Sequence, residues 1–249
     1  MVIYLLLCAA IYVFQRALIY HPAEATEHPF DTLEINNDNH IIEALKTNPV
    51  ETKQGTGDVI IYFGGNAENV AYSAADFNQQ FPNHQTFLMK YRGYAGAAGS
   101  PSEQALFSDA LALFDHIKQN SNARIHVIGR SLGSGVATYL ATQRQVDKLI
   151  LVTPFDSILN LAKNMFPILP VEWLLKDHFN SKSRAHQINT PTLVITATND
   201  QVIPKQHSES LIQSIPKTQL TVINIDAGHN DIDLYPLYFN SLKSHIAIN

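Results

Sequence analysis

The sequence is poor in cysteine, and this scarcity limits the chemistry that the chain can carry. Cys8 is the single cysteine among 249 residues, so no internal disulfide can form. The 11 histidines include no H-E-x-x-H pair and no Cys/His cluster, which are the usual metal-binding patterns. We therefore expect no metal site.

Positive charge is also sparse. Against 22 Asp and Glu residues the chain has 17 Lys and Arg residues, a formal net charge of −5, and the basic residues do not cluster. A nucleic-acid partner is therefore not expected. The loop with Gly93, Gly96 and Gly99 lacks the Gly-Lys-Ser/Thr ending of a phosphate-binding loop. We predict a flexible loop there, and no cofactor.

The first 14 residues carry no charged side chain. As a helix they would span about 21 Å, less than the roughly 30 Å hydrocarbon core, but extension to residue 20 reaches a spanning length if Arg16 snorkels. We predict that residues 1–20 anchor the protein in a membrane, of the bacterial inner-membrane type. Arg16 favours a cytoplasmic catalytic domain. A signal peptide of a secreted protein and a buried terminal helix of a soluble one remain alternatives.

Short apolar runs alternate with helical patterns over residues 21–249. The predicted strands are 32–35, 41–45, 58–63, 85–91, a run beginning at 125, 148–152, 192–197 and 219–225. Strands that alternate with helices build βαβ units, so we predict one α/β domain with a mostly parallel central sheet and helices on both faces. Before one of these helices, the order of residues predicts Ser100 as the N-cap, Pro101 in the first turn and Glu103 reaching back.

Residues 154–190 interrupt this alternation. The stretch is strongly apolar, and Pro167 and Pro170 divide it. It fits a short cap over a site for an apolar substrate, and it fits equally well ordinary helices packed on the sheet.

One motif supplies a candidate nucleophile. Gly129-x-Ser131-x-Gly133 follows an apolar run and precedes a helix of small residues. A serine on a sharp strand-to-helix turn presents its hydroxyl above the sheet, and glycine two residues to either side removes Cβ atoms that would collide. The pattern arises by chance in about one chain in ten of this length, so its strand–turn–helix context is what favours a catalytic serine.

A serine nucleophile needs a base and an acid, which in this kind of fold follow it along the chain. Asp200 lies three residues after the strand that ends at Ala197, and His229 lies four residues after the last strand. Both positions are on loops at the carboxyl edge of a parallel sheet. Asp156 is an alternative acid. We expect His207 and His245, which lie in helical patterns, to be structural.

These residues predict a mechanism. His229 takes the proton of Ser131 and later protonates the leaving group, while Asp200 orients the imidazole. The oxyanion hole is assigned to the backbone N–H groups of Leu132 and of Asn66, the latter on the loop after the strand ending at residue 63.

The chain resembles the α/β-hydrolase superfamily, and more narrowly its serine aminopeptidase-like branch of membrane-anchored serine hydrolases. The resemblance is carried in order by residues 14–20, 62–69, 91–94, 99–103, the serine turn, 199–204 and 228–229. It implies a membrane-associated enzyme that acts on acyl esters or thioesters of small or lipid-like molecules. The family's oxyanion loop usually reads His-Gly-Asn-Ala-Gly-Asn, whereas here Gly64 replaces the His and Glu68 replaces the second Gly.

Three functions follow from these observations. The first is a serine hydrolase that cleaves ester or thioester bonds, the second a peptidase or amidase with the same triad, and the third a non-catalytic α/β-hydrolase scaffold. Ser131 in place of a carboxylate disfavours a haloalkane-type enzyme.

Overall fold

Eight strands form one sheet in the computed structural model, which describes residues 1–37, 40–47 and 57–247. The strands are β1 (Asp31–Asn37), β2 (His40–Thr47), β3 (Val59–Phe63), β4 (Gln85–Lys90), β5 (Ile125–Arg130), β6 (Lys148–Val152), β7 (Thr192–Ala197) and β8 (Leu220–Ile225). Their order across the sheet is β1-β2-β4-β3-β5-β6-β7-β8. The pairs β1–β2 and β2–β4 are antiparallel, and the other neighbours are parallel. Each predicted strand is present.

Helices connect the strands and cover the sheet. They are α1 (Val2–Ile19), α2 (Val70–Gln80), α3 (Glu103–Asn120), α4 (Leu132–Gln143), α5 (Ile158–Met165), α6 (Val171–Leu174), α7 (Ser181–Ala185), α8 (Lys205–Ile212) and α9 (Pro236–Ala247). Short 3-10 turns lie at Lys217–Gln219 and Ile232–Leu234.

The core has two layers because the central strands are apolar on both faces, as expected for parallel strands covered by helices. Along β3, Ile61 and Phe63 belong to the layer that holds α3 and α4. The alternate residues Ile60 and Tyr62 belong to the layer that holds α2 and α9. The predicted architecture, with helices on both faces of a mostly parallel sheet, is confirmed.

The predicted start of α3 is wrong by two residues. The N-cap is Ser102, whose hydroxyl accepts a hydrogen bond from the Ala105 N–H at 3.1 Å, and not Ser100. Glu103 does not reach back along its own helix, because its carboxylate accepts the backbone N–H of His178 at 2.6 Å. The Glu103 carboxylate, which a capping box would bond to the backbone at the start of its own helix, is therefore bonded to a residue distant in sequence.

The N-terminal helix α1 packs against the segment between α5 and α7. Among the residues that the structure describes, it is the one helix long and apolar enough to cross a membrane. Of its side chains only Cys8, Gln15 and Ile19 are buried, which does not fit a terminal helix enclosed in a soluble core. Its end is joined to the domain, since Arg16 pairs with the buried Asp177 at 2.9 Å.

A buried ion pair fixes the loop after β4 to α3. Arg92 donates two hydrogen bonds to Asp109, at 2.6 and 2.7 Å, and the Asn37 amide donates a third at 3.0 Å. The side chains of Asp109 and Arg92 are 2% and 20% exposed, so removal of the carboxylate would deprive a largely buried guanidinium of two charge-assisted hydrogen bonds.

We therefore expect Asp109→Ala to lower the free energy of unfolding by about 3–5 kcal/mol, as when one partner of a buried pair is lost. Asp115→Ala is the matched control, because Asp115 and its partner Arg144 are more than a third exposed and such surface pairs contribute about 0–1 kcal/mol. Urea denaturation of both variants measures the difference, and equal losses would contradict this reading.

Candidate active site

Ser131 lies on the turn between β5 and α4 in a strained backbone conformation. Its φ of 50° and ψ of −117° fall in a region that residues other than glycine rarely adopt. The surrounding structure holds this conformation, because the Ser131 N–H bonds the Val152 carbonyl at 2.9 Å and its carbonyl accepts the Ser134 hydroxyl at 2.6 Å. The predicted serine turn is therefore present.

The turn depends on two glycines. A Cβ atom at Gly133 would overlap the backbone carbonyls of Phe63 and Gly64, and one at Gly129 would overlap the Gly133 carbonyl. Without these side chains the start of α4 packs directly on the end of β3. The serine and the loop that follows β3 are thus held next to each other.

Ser131, His229 and Asp200 form one hydrogen-bonded relay. His229 Nε2 lies 3.0 Å from Ser131 Oγ, and His229 Nδ1 lies 2.8 Å from Asp200 Oδ2. All three side chains are nearly inaccessible to water, with exposures of 7–8%. The structure therefore brings together the three residues that the sequence selected, in the order that proton transfer requires.

Each partner of the serine is held by its own loop. The second carboxylate oxygen of Asp200 accepts the N–H groups of Val202 and Ile203 at 2.9 and 2.7 Å, which keeps the first oxygen aimed at His229. On the histidine loop, Arg130 donates to the carbonyls of His229 and Asn230.

Arg130 itself is held by Asp233 at 3.0 Å. Burial lowers the pKa of Arg130, but Coulombic interactions with nearby titratable groups, among them Glu68 and Asp233, outweigh burial and raise this pKa above its ordinary value. The guanidinium therefore remains charged and keeps the histidine loop fixed.

The two backbone groups assigned to the oxyanion hole belong to residues that line the same cavity as Ser131. Leu132 is the first residue of α4, so no intrahelical bond uses its N–H. Asn66 is fixed through its carbonyl, which accepts the Tyr94 hydroxyl at 2.7 Å, and through its amide, which donates to the Ile19 carbonyl at 3.1 Å. Both residues border the cavity next to the serine, and their role as oxyanion donors stays a prediction.

Glu68 organises the loop that carries Asn66. Its carboxylate accepts the Gly65 N–H at 2.7 Å, the Tyr62 hydroxyl at 2.9 Å and the Ser73 hydroxyl at 2.5 Å. Burial raises the pKa of Tyr62 well above its usual range, so this hydroxyl remains a donor. The Gly65 N–H therefore already has Glu68 as its acceptor, and the loop is held by its own hydrogen bonds.

The two positions at which this loop departs from the family's usual sequence, 64 and 68, lie next to each other. A Cβ atom at Gly64 would lie 3.0 and 3.1 Å from the Glu68 carboxyl group and 3.1 Å from Val70. The Glu68 side chain thus uses space that a larger residue at position 64 would need. The Tyr91 hydroxyl adds support, because it donates to the Gly64 carbonyl at 2.8 Å.

The residues weighed as alternatives to Asp200 and His229, which are Asp156, His207 and His245, do not join the relay. Asp156 and His207 bond each other at 2.8 Å, and the Asn164 amide lies 2.8 Å from the second ring nitrogen of His207. His245 contacts the Pro191 carbonyl, before the start of β7. None of these three side chains joins the described hydrogen bonds of Ser131 or His229, so the alternative acid Asp156 is not brought to the relay.

An apolar cavity of 330 Å³ opens beside Ser131. Its volume is near the lower end of the roughly 300–1,000 Å³ range of small-molecule sites. Helices α5 and α6 supply much of its wall, so part of the stretch 154–190 covers the site, while α7 packs against α4. Helix α1 also contributes, through Ile11, Gln15, Leu18 and Ile19.

Sequence reasoning missed the part of the cavity formed by α1 and the support given by Glu68. The apolar run predicted an anchor, and no local signal showed that one side of it would face the serine. In residues 1–37, 40–47 and 57–247, no three His, Cys, Asp or Glu side chains come together as metal ligands would.

Comparison with known proteins extends this description. Residues 60–230 match the family described as serine hydrolase (FSH1). An uncharacterized protein of Mycobacterium tuberculosis is 35% identical over 190 residues, which cover 74% of this chain and 66% of that protein, just under two thirds. An uncharacterized membrane protein of Saccharomyces cerevisiae is 27% identical over 261 residues, covering 96% of this chain and 90% of that one.

Among solved structures, an esterase of Pyrococcus furiosus, Pf2001, superposes with a TM-score of 0.71 at 16% identity, covering 92% of this chain and 96% of the esterase. At that identity the likeness concerns the fold, and it confirms the α/β-hydrolase architecture. The predicted superfamily is confirmed, whereas the serine aminopeptidase-like branch stays a prediction.

The compensation between positions 64 and 68 is testable with a double-mutant cycle. We expect Gly64→His alone to destabilise the protein because its side chain meets Glu68, and Glu68→Gly alone to leave the Gly65 N–H without its acceptor. The double variant restores the family's loop. Its loss of unfolding free energy should be smaller than the sum of the single losses by at least about 1 kcal/mol.

The rate at which a fluorophosphonate labels Ser131 should follow the same pattern, with the double variant faster than either single variant. Strictly additive effects in both measurements would contradict a direct contact between the two positions.

Proposed function

Because the chain belongs to the FSH1 serine hydrolase family, we propose that it cleaves carboxylic ester or thioester bonds through an acyl-enzyme on Ser131. The observation that carries this proposal is the hydrogen-bonded relay from Ser131 through His229 to Asp200, with an apolar cavity beside Ser131. A hydroxyl beside a base is a nucleophile, and an apolar cavity next to it suits an acyl chain.

In the first half of the reaction, His229 Nε2 removes the Ser131 proton while Oγ bonds to the carbonyl carbon. The carbonyl oxygen becomes an oxyanion, which the N–H groups of Leu132 and Asn66 stabilise. As the bond to the leaving group breaks, the imidazolium gives its proton to the departing alcohol or thiol. In the second half, His229 activates water, which releases the acid and restores Ser131.

Asp200 is a positioning partner in these steps. Its carboxylate lies 2.8 Å from His229 Nδ1, so it selects the tautomer with a proton on that nitrogen and a lone pair on Nε2. It also stabilises the imidazolium that forms after the serine loses its proton.

The lining of the cavity supports an apolar acyl group as substrate. Helices α5 and α6 contribute aliphatic side chains, among them Leu161, Met165 and Leu174, and Phe166, which directly follows α5, adds an aromatic ring. The substrate we propose is a small or lipid-like acyl ester or thioester.

We propose that the chain is divided into an anchor over residues 1–20 and a hydrolase domain over residues 21–249, whose cap segment lies at about 154–190.

Membrane association has two supports. Helix α1 is apolar and largely exposed, and the yeast relative is named as a membrane protein. We therefore propose that the protein works at a membrane.

The role of Ser131 is tested with a fluorophosphonate probe and a soluble ester. We expect wild type to be labelled and Ser131→Ala to be unlabelled, with hydrolysis at least about 10³-fold slower. Ser214→Ala is the control, because its hydroxyl bonds within α8 and its neighbouring turn. No labelling of wild type would support the scaffold alternative.

Acyl and leaving-group preferences are tested with acetyl, butyryl and octanoyl esters, the matching thioesters and aminoacyl amides. We expect kcat/KM to rise by up to about fourfold for each methylene that enters the cavity, which corresponds to about 0.8 kcal/mol. Ala162→Phe, which fills part of the cavity wall, should move the optimum to shorter chains. Amides hydrolysed faster than both ester classes would favour the peptidase alternative.

A further inference from the structure

We propose that α1 lies in the plane of the membrane instead of crossing it, with one side on the bilayer and the opposite side on the acyl cavity, whose mouth opens to the bilayer beside the helix. On this arrangement the acyl chain of a membrane lipid reaches Ser131 directly from the bilayer. The proposal rests on the proposed function in one respect, that the occupant of the cavity is an acyl chain. The position of α1 can be tested without it.

Helix α1 is apolar on opposite sides, and each side has a different surrounding. One side contributes Ile11, Leu18 and Ile19 to the cavity. The opposite side is exposed and includes Val2, Leu6 and Val13. Up to Phe14 the helix has no charged side chain, and a helix that is apolar all round is found where no side faces water. A bilayer on the outer side and an acyl chain on the inner side meet that condition together.

Contacts along its length hold α1 against the surface formed by α5 and α6. Near its start, the Tyr4 hydroxyl donates to the Ile168 carbonyl at 2.9 Å. Near its end, the Gln15 amide donates to the Leu174 carbonyl at 2.8 Å and accepts the Lys176 N–H at 2.6 Å. These contacts span about 17 Å of helix, at 1.5 Å per residue, so α1 runs along this surface.

Such a helix cannot cross a bilayer without drawing its neighbours into the hydrocarbon. Lys163 and Glu172 lie on α5 and α6, and their side chains are 42% and 65% exposed. Charged side chains are costly at the bilayer centre. An in-plane helix avoids this cost because its neighbours then need not enter the hydrocarbon core.

The mouth of the cavity is bordered by exposed apolar side chains. Leu18 of α1, Met165 and Phe166 of the cap and Val202 beside Asp200 all line the cavity and are 38–71% exposed. The apolar surface continues outward to Ile168 and Trp173, which are 83% and 85% exposed.

A bilayer is the occupant that this surface fits. It meets the outer side of α1, the mouth of the cavity and Trp173 at once, and tryptophan is enriched at membrane interfaces. A monotopic protein binds in this way, with apolar side chains reaching about 5–10 Å into the boundary between headgroups and acyl chains.

The experiment uses the full chain and phosphatidylcholine vesicles that carry a palmitoyl ester. Val13→Asp changes the outer side of α1 and Trp173→Asp changes the cap. Leu237→Asp is the matched control, because Leu237 is 49% exposed on α9, which packs on the opposite face of the sheet. Flotation measures vesicle binding, and a soluble butyryl ester measures the reaction at the serine.

We expect Val13→Asp and Trp173→Asp each to lower vesicle binding and hydrolysis of the embedded ester at least tenfold, on the order of 1.4 kcal/mol. Hydrolysis of the butyryl ester should stay within twofold, and Leu237→Asp should match wild type throughout. Trp173→Gln, which adds no charge, should weaken binding in the same direction.

Other outcomes would overturn the proposal. Loss of binding with Val13→Asp but not with Trp173→Asp or Trp173→Gln would mean that α1 crosses the bilayer away from the cap. Unchanged binding in all variants, with a dimer that Trp173→Asp dissociates, would assign the surface to a second copy of the chain. If wild type fails to cleave the butyryl ester, the proposed function fails while flotation still reports the position of α1.

Discussion

The close contact between the start of α4 and the end of β3 is the constraint on which the site depends. Because Gly133 has no side chain, the backbone of the serine turn packs on the carbonyls of Phe63 and Gly64. This contact sets the distance between Ser131 and the loop after β3 before any side chain is considered. The histidine and acid loops come from β8 and β7, on the far side of β6, and complete the relay around a position that is already fixed.

Much of the fold and of the relay could be predicted because their signals are local. Apolar runs bounded by turns mark the strands, and the serine turn requires small residues at fixed spacing. Asp200 and His229 could be selected because parallel strands end at one edge of a sheet, so loops distant in sequence share that edge. The hydrogen-bond distances among these three residues agree with that choice, while their chemical roles rest on the proposal.

The remaining features could not be predicted because they arise from contacts between distant segments. From the sequence, Glu68 is only a replacement of the family's second glycine, yet in the structure its carboxylate supports the loop after β3 by hydrogen bonds. Glu103 looked like half of a capping box, yet it bonds the backbone at His178. In each case a polar side chain had two possible partners, and local spacing cannot show which partner the folded chain provides.

The attachment of α1 through Asp177 has a practical consequence for biochemical work. Asp177 is 3% exposed and receives Arg16, the Tyr20 hydroxyl and the Glu103 N–H. Deleting α1 to improve solubility would strip this carboxylate of its cation and remove one wall of the cavity beside Ser131. Selectivity profiles recorded on such a shortened chain would describe an artificially widened cavity, so detergent-solubilised protein that retains α1 is the appropriate material for substrate discovery.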